Sequence, residues 1–150
     1  MLRRQLTFSS LASAWVVEIA EVMTHVIEEI IAESNQTVTL KSGEVLFREF
    51  DEPDGMYIVK RGRLGIFVGG MPLETVHDGG LIGEMAIVEG NTRRSATVLA
   101  STYCELIFID VERFLSLVAS NPQFSIAVMQ VMPRRLRTMN SRFARTPRPS

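Results

Sequence analysis

Between Gly79 and Val98 the chain gathers residue types suited to holding a phosphate. Gly79, Gly80 and Gly83 let backbone approach a ligand closely, because no Cβ stands in the way. A helix opening near Gly83-Glu84 leaves its first N–H groups without intrahelical partners, and those groups attract an anion. Arg94 offers a planar, permanently charged fork to two phosphate oxygens, and Ser95 adds a hydroxyl. Glu84 is the odd member. A carboxylate at the mouth of an anion site opposes binding unless it meets a hydroxyl donor, for which a ribose 2′-OH is the obvious candidate. The stretch points to a ligand with one phosphate and one sugar hydroxyl side by side.

The elements around this stretch must position it. Leu11 to Ala32 reads as a helix, with Ser10 or Ser13 available as its cap. Its apolar residues (Val16, Ile19, Ala20, Met23, Ile27, Ile30 and Ile31) keep helical spacing, and glutamates fill the opposite face. Two readings stay open for it: a docking or dimerising helix, or a core-covering helix with a solvated acidic face. From Val38 the period changes to that of strands, at Val45–Phe47, Met56–Val59, Leu64–Val68 and Leu73–Val76, with a hairpin signal at Gly69-Gly70. Ser95 to Leu99 and Glu105 to Ile109 complete the strand set. Short strands separated by glycine-rich turns indicate an antiparallel sandwich or roll, not a βαβ sheet. Asp110 is placed to cap a helix over Val111 to Ala119. Asn121-Pro122 opens another, to about Phe143. Val128, Met132, Leu136, Met139 and Phe143 form one expected apolar stripe on it. Pro133 falls inside that pattern and predicts a kink or a break.

With 150 residues the chain is one domain by size. Its net charge of −1 hides segregation: five acids and no base lie between Arg4 and Lys41, and six arginines and no acid from Arg134 onward. The single cysteine, Cys104, excludes an internal disulfide and reads as a buried strand thiol. His25 and His77 stand far apart, so no metal site is expected, and no Ser-His-Asp or Cys-His set argues for catalysis. No apolar run reaches the length of a membrane span, so a cytoplasmic location is expected. The arginine-rich end reads as a solvated helix face that pairs with the acidic first helix, and alternatively as a contact for nucleic acid or anionic lipid.

Gly83-Glu84-Met85-Ala86 followed by Arg94-Ser95-Ala96-Thr97-Val98 resembles the phosphate-binding cassette of cyclic-nucleotide-binding domains. Gly43–Phe47 and Met56–Gly62 resemble that family's structural glycine motifs. The resemblance runs from about Val38 to Asn140. It implies a mainly β, α+β fold: an antiparallel, jelly-roll-like β-roll of about eight strands over residues 37–109, between a helix at 11–33 and C-terminal helices at 110–143. Residues 1–10 are then a flexible N-terminus and 144–150 a tail. It implies that Glu84 holds the ribose 2′-OH. Arg94 and Ser95, with backbone near Gly83, Glu84, Met85 and Ala86, hold the cyclic phosphate. Arg93 is assigned no contact. Met139 and Asn140 fall where the family reads the base, and of the two only Asn140 can donate and accept, so Asn140 joins the candidate ligand residues.

The resemblance further implies cAMP in preference to cGMP as ligand, no metal, and no catalytic residues. Occupancy would pass through the last helix to a homodimer mate or an effector protein of unknown kind. The recognition helix that DNA-binding members carry beyond this helix is not among these residues, so no DNA-binding domain is expected. The alternative is a degenerate roll that binds no nucleotide and serves as a scaffold or interaction module.

Overall fold

Short apolar strands joined by tight turns fold the middle of the chain into two facing four-stranded sheets. A computed structural model describes residues 8–90 and 92–144. Most of the expected flexible N-terminus and tail thus lies outside the described residues; residues 8–10 already belong to the first helix. The strands are β1 (Thr37–Leu40), β2 (Val45–Phe47), β3 (Gly55–Arg61), β4 (Leu64–Val68), β5 (Met71–Val76), β6 (Leu81–Ile82), β7 (Thr97–Ala100) and β8 (Cys104–Asp110). One sheet has the order β1-β8-β3-β6 and the other β2-β7-β4-β5. Every pairing is antiparallel. This is the expected β-roll. Gly69 and Gly70 take φ of 58° and 79° in the β4–β5 hairpin, the positive angles a two-residue turn needs to match strand twist.

Helices complete the molecule: α1 (Phe8–Glu33), α2 (Glu84–Glu89), α3 (Val111–Ser120) and α4 (Pro122–Ala144). Since α1 opens at Phe8, Ser10 and Ser13 lie inside it and not at its cap. Asp110 caps α3 as expected, its carboxylate accepting from the Arg113 amide at 2.7 Å. Asn121 Oδ1 accepts from the Phe124 amide at 3.2 Å at the head of α4. No helix among the described residues is long and apolar enough to cross a membrane.

The core has two parts. One fills the roll with Tyr57, Val59, Leu64, Ile82, Val98, Cys104 and Leu106. The other seats the helices on the β1-β8-β3-β6 sheet through Ile30, Ile58, Ile107, Ile109, Phe114, Phe124 and Val131. Complete burial of Phe124 contributes roughly 1.5–3 kcal/mol and anchors the first turns of α4. Beyond it α4 continues unbroken through Pro133. Val131 and Arg135, both buried, hold the helix on either side of the proline, and packing overrides the local cost. The expected apolar stripe divides. Val128 is buried, Met132 and Met139 are half-buried, and Leu136 is exposed.

Candidate functional site

The β6–α2 turn, the start of β7 and the second half of α4 enclose a cavity of about 100 Å³. Gly83, Met85, Ala86, Arg94 and Ser95 line it together, as the sequence predicts. Phe47, Ile66, Val68, Leu73 and Val98 make an apolar wall, and Arg135 and Met139 reach in from α4. Gly79 and Gly80 do not reach this cavity. They form the turn before β6, where the Gly79 amide donates to the Val59 carbonyl at 2.7 Å. Asn140 is exposed and outside the lining; one position round the helix, Met139 takes the inward place. Arg93 faces outward, donating to the Phe50 carbonyl at 3.1 Å.

Arg94 points inward. Its side chain is 2% exposed. Nη1 donates to the Gly83 carbonyl at 3.0 Å, and Nη2 donates to the Gly55 carbonyl at 2.7 Å and to Asp54 Oδ1 at 3.1 Å. The guanidinium carbon lies 4.1 Å from the centre of the Phe47 ring, a cation–π contact. Gly83 is required for this fit. Its φ is +83°, and a Cβ there would lie 2.5 Å from Arg94 Nη1. Burial pushes the Arg94 pKa below its usual value, while Asp54, Tyr57 and Glu84 pull it upward. Among the described residues its one carboxylate partner is Asp54, which is 69% exposed and spends much of its charge on water. The cation is therefore incompletely compensated, and Arg94 Nε is buried with no hydrogen-bond partner.

Glu84 opens α2, is fully buried and, unlike its neighbours Gly83 and Met85, lies outside the cavity lining, behind Arg135. Oε1 accepts from Arg135 Nη1 of α4. Arg135 also donates from Nε to Glu74 at 2.8 Å and from Nη2 to the Leu81 carbonyl at 2.6 Å. Glu84 Oε2 remains buried and unpartnered. Among the described residues the buried side-chain atoms lacking a partner are therefore one donor on Arg94 and one acceptor on Glu84. Such atoms cost about 1–3 kcal/mol each when left unmade. An anion would satisfy the first and a hydroxyl the second.

The sequence reading missed Arg135 by taking the arginine run as solvated. A signal was present: Phe124, Ala127, Val131 and Arg135 follow one another at spacings of three, four and four, which places Arg135 on the buried face of α4. The expected pairing of the arginine-rich end with α1 is not formed among the described residues, since Arg135 turns to Glu84 and Glu74 instead.

A family model described as the cyclic nucleotide-binding domain matches residues 37–121. The chain belongs to the cyclic nucleotide-binding domain family. Lysophospholipase nte1 of Neurospora crassa is 32% identical over 105 residues, covering 67% of this chain and 7% of that protein. The c-di-GMP-responsive global regulator CLP of Xanthomonas campestris superposes with a TM-score of 0.70 at 23% identity, over 79% of this chain and 62% of that one. A cAMP-bound EAL enzyme is 30% identical with a TM-score of 0.55, over 73% of this chain and 30% of that one. That enzyme is also similar in its cGMP-bound form, at 29% identity and a TM-score of 0.55, over 71% of this chain and 29% of that one. The chain thus spans only part of the length of these proteins.

Proposed function

We propose that this domain is a sensor: it binds a cyclic mononucleotide, cAMP in preference to cGMP, and relays occupancy through α4. The observation that carries this reading is the orphaned pair, Arg94 Nε and Glu84 Oε2. A cyclic phosphate would bring acceptors to Arg94, Ser95 and the backbone at Gly83–Ala86, and the ribose 2′-OH would donate to Glu84. The apolar wall around the remaining space favours adenine, because guanine would bury a carbonyl, a ring N–H and an amino group there without partners where adenine buries one amino group. Cyclic-nucleotide-bound neighbours of both kinds support the class of ligand.

The relay follows from Arg135. It fastens α4 to the carboxylate that would receive the sugar, so a ligand on Glu84 acts directly on the helix. At about 100 Å³ the cavity is smaller than the roughly 300–1,000 Å³ of small-molecule sites, so admission requires α4 to shift. Ligand binding then selects the shifted arrangement. The exposed row Ile126, Met129 and Leu136 on α4 is the surface that would report the shift to a second copy or an effector.

The burial of the Arg135–Glu84 ion pair favours a second reading, in which the latch is permanent and the roll is a scaffold that binds no nucleotide. Isothermal calorimetry and thermal shift with cAMP, cGMP and 2′-deoxy-cAMP separate the two. The sensor reading expects stabilisation by cAMP, less by cGMP, and weakened binding of the deoxy compound. No shift with any of them at millimolar concentration leaves only the scaffold.

A further inference from the structure

Gly79 and Gly80, which the first cavity does not use, wall a second and larger cleft. It lies between α1, the turn before β6 and the middle of α4. Its volume is about 510 Å³, within the roughly 300–1,000 Å³ of small-molecule sites. Met23, Ile27, Ile31, Leu81, Ala127 and Val131 give it an apolar floor. Gly80 has no room for a side chain, since a Cβ there would lie 2.2 Å from Val76 Cγ1. The backbone of the turn is already spent. The Gly79 amide donates to the Val59 carbonyl at 2.7 Å, and the Gly80 carbonyl accepts from the Val59 amide at 2.9 Å. Polar recognition in this cleft therefore falls to side chains.

Charge selects the occupant. Glu28 of α1, Lys60 of β3, Asp78 of the turn and Arg134 of α4 stand on the rim. Among the described residues the Glu28 and Arg134 side chains make no hydrogen bond or ion pair. Lys60 has Glu105 at 3.9 Å, and Asp78 Oδ1 accepts from the Gly62 amide at 2.9 Å. An ion of one sign meets a like-charged pair on this rim as well as an opposite one. A zwitterion can set each pole against opposite charge. Ile19 and Met23 share a groove with Gln123 and Ile126, while Ile27 and Ile31 share this cleft with Gln130 and Arg134, so α1 and α4 run in the same direction. Ala20, Met23 and Ala127 thus make an apolar end, and Glu28 and Arg134 a charged one. That layout suits a zwitterionic head on an apolar tail.

The cleft shares a wall with the first cavity. Leu81 faces the cleft and Ile82 the cavity, by the alternation of a strand. Arg134 lines the cleft and Arg135 the cavity, and the Leu81 carbonyl accepts from Arg135 Nη2 at 2.6 Å. A molecule wedged between α1 and α4 therefore holds this turn of α4 where it stands.

We propose that this cleft binds a small zwitterionic amphiphile, and that its occupancy opposes the α4 shift that admits the nucleotide. The second clause rests on the sensor reading; the first does not. Three decyl compounds test the site in nucleotide-free protein, by calorimetry below their micelle concentrations: decyl sulfobetaine, decyl sulfate and decyltrimethylammonium. The sulfobetaine should bind at a single site, about tenfold tighter than either of the others. Ala20→Phe sets a ring in the cleft from an exposed position and should abolish that binding with unchanged circular dichroism. Arg134→Gln should weaken the sulfobetaine about tenfold, and Glu28→Gln should move the preference toward decyl sulfate.

Equal binding of the three heads, binding that Ala20→Phe leaves intact, or no binding of the sulfobetaine at about 1 mM overturns the proposal. With the sulfobetaine saturating, cAMP should bind about fivefold or more weakly; an unchanged cAMP affinity overturns the coupling. If cAMP does not bind even without the sulfobetaine, the sensor reading fails, and the head-group series still decides the site.

Discussion

Two buried arginines sit at either end of one cavity and are compensated differently. Arg135 has a fully buried carboxylate, a second carboxylate and a carbonyl. Arg94 has two carbonyls, an aromatic face and one mostly hydrated carboxylate, and keeps a buried N–H unused. A buried charge with full partners holds structure together; one with a deficit attracts what is missing. On the proposed reading, the contrast gives Arg135 the fastening of α4 and Arg94 the receipt of an anion.

The harshest way to break the contrast is Arg135→Met. It leaves Glu84 buried and unpaired, at a cost of about 3–5 kcal/mol and a Tm fall of roughly 6–20 °C for a chain of this size, measured by calorimetric melting. Arg94→Met should spare the melting temperature more, since its carboxylate partner can hydrate. It should nevertheless cut cyclic-nucleotide affinity by about a hundredfold or more, from the loss of charged hydrogen bonds of roughly 1.5–3 kcal/mol each. If Arg94→Met instead proves the more destabilising and binds normally, the two roles are reversed.

Glu84→Gln sharpens the comparison at its midpoint. It should cost about tenfold in cAMP affinity while leaving 2′-deoxy-cAMP binding unchanged, because only the sugar hydroxyl uses that oxygen. Equal losses for both ligands would detach Glu84 from the ribose.

The smallest effect concerns Tyr57. Burial raises its pKa, Asp54 raises it further, and Arg94 opposes both. The unfolded chain therefore loses the phenolic proton first as pH climbs past about 10. Stability present below that pH is lost as pH approaches the higher folded value. Urea midpoints at alkaline pH should fall less for Tyr57→Phe than for the parent.

Much of this was legible in the residues. Strand alternation and the Gly69-Gly70 turn located the roll, and the spacing from Gly83 to Ser95 located the cavity wall. Gly79 and Gly80 misled because glycine signals backbone freedom without saying what approaches it. Arg135 was hidden by its arginine neighbours: composition read as solvent exposure, whereas its helical phase placed it inside. Asn140 and Met139 differ by one step of about 100° around the helix, which sequence alone did not resolve against the orientation of α4. Pro133 was weighed by intrinsic propensity, and tertiary contacts on both sides outweighed it.

That proline has a mechanical consequence. It divides α4 into an inner segment bolted to the core by Phe124, Ala127 and Val131 and an outer segment that touches the cavity through Arg135 and Met139. A helix missing one rung bends most readily at the gap. On the proposed reading, a ligand that releases Arg135 from Glu84 would let the outer segment swing as a short lever on that fixed base.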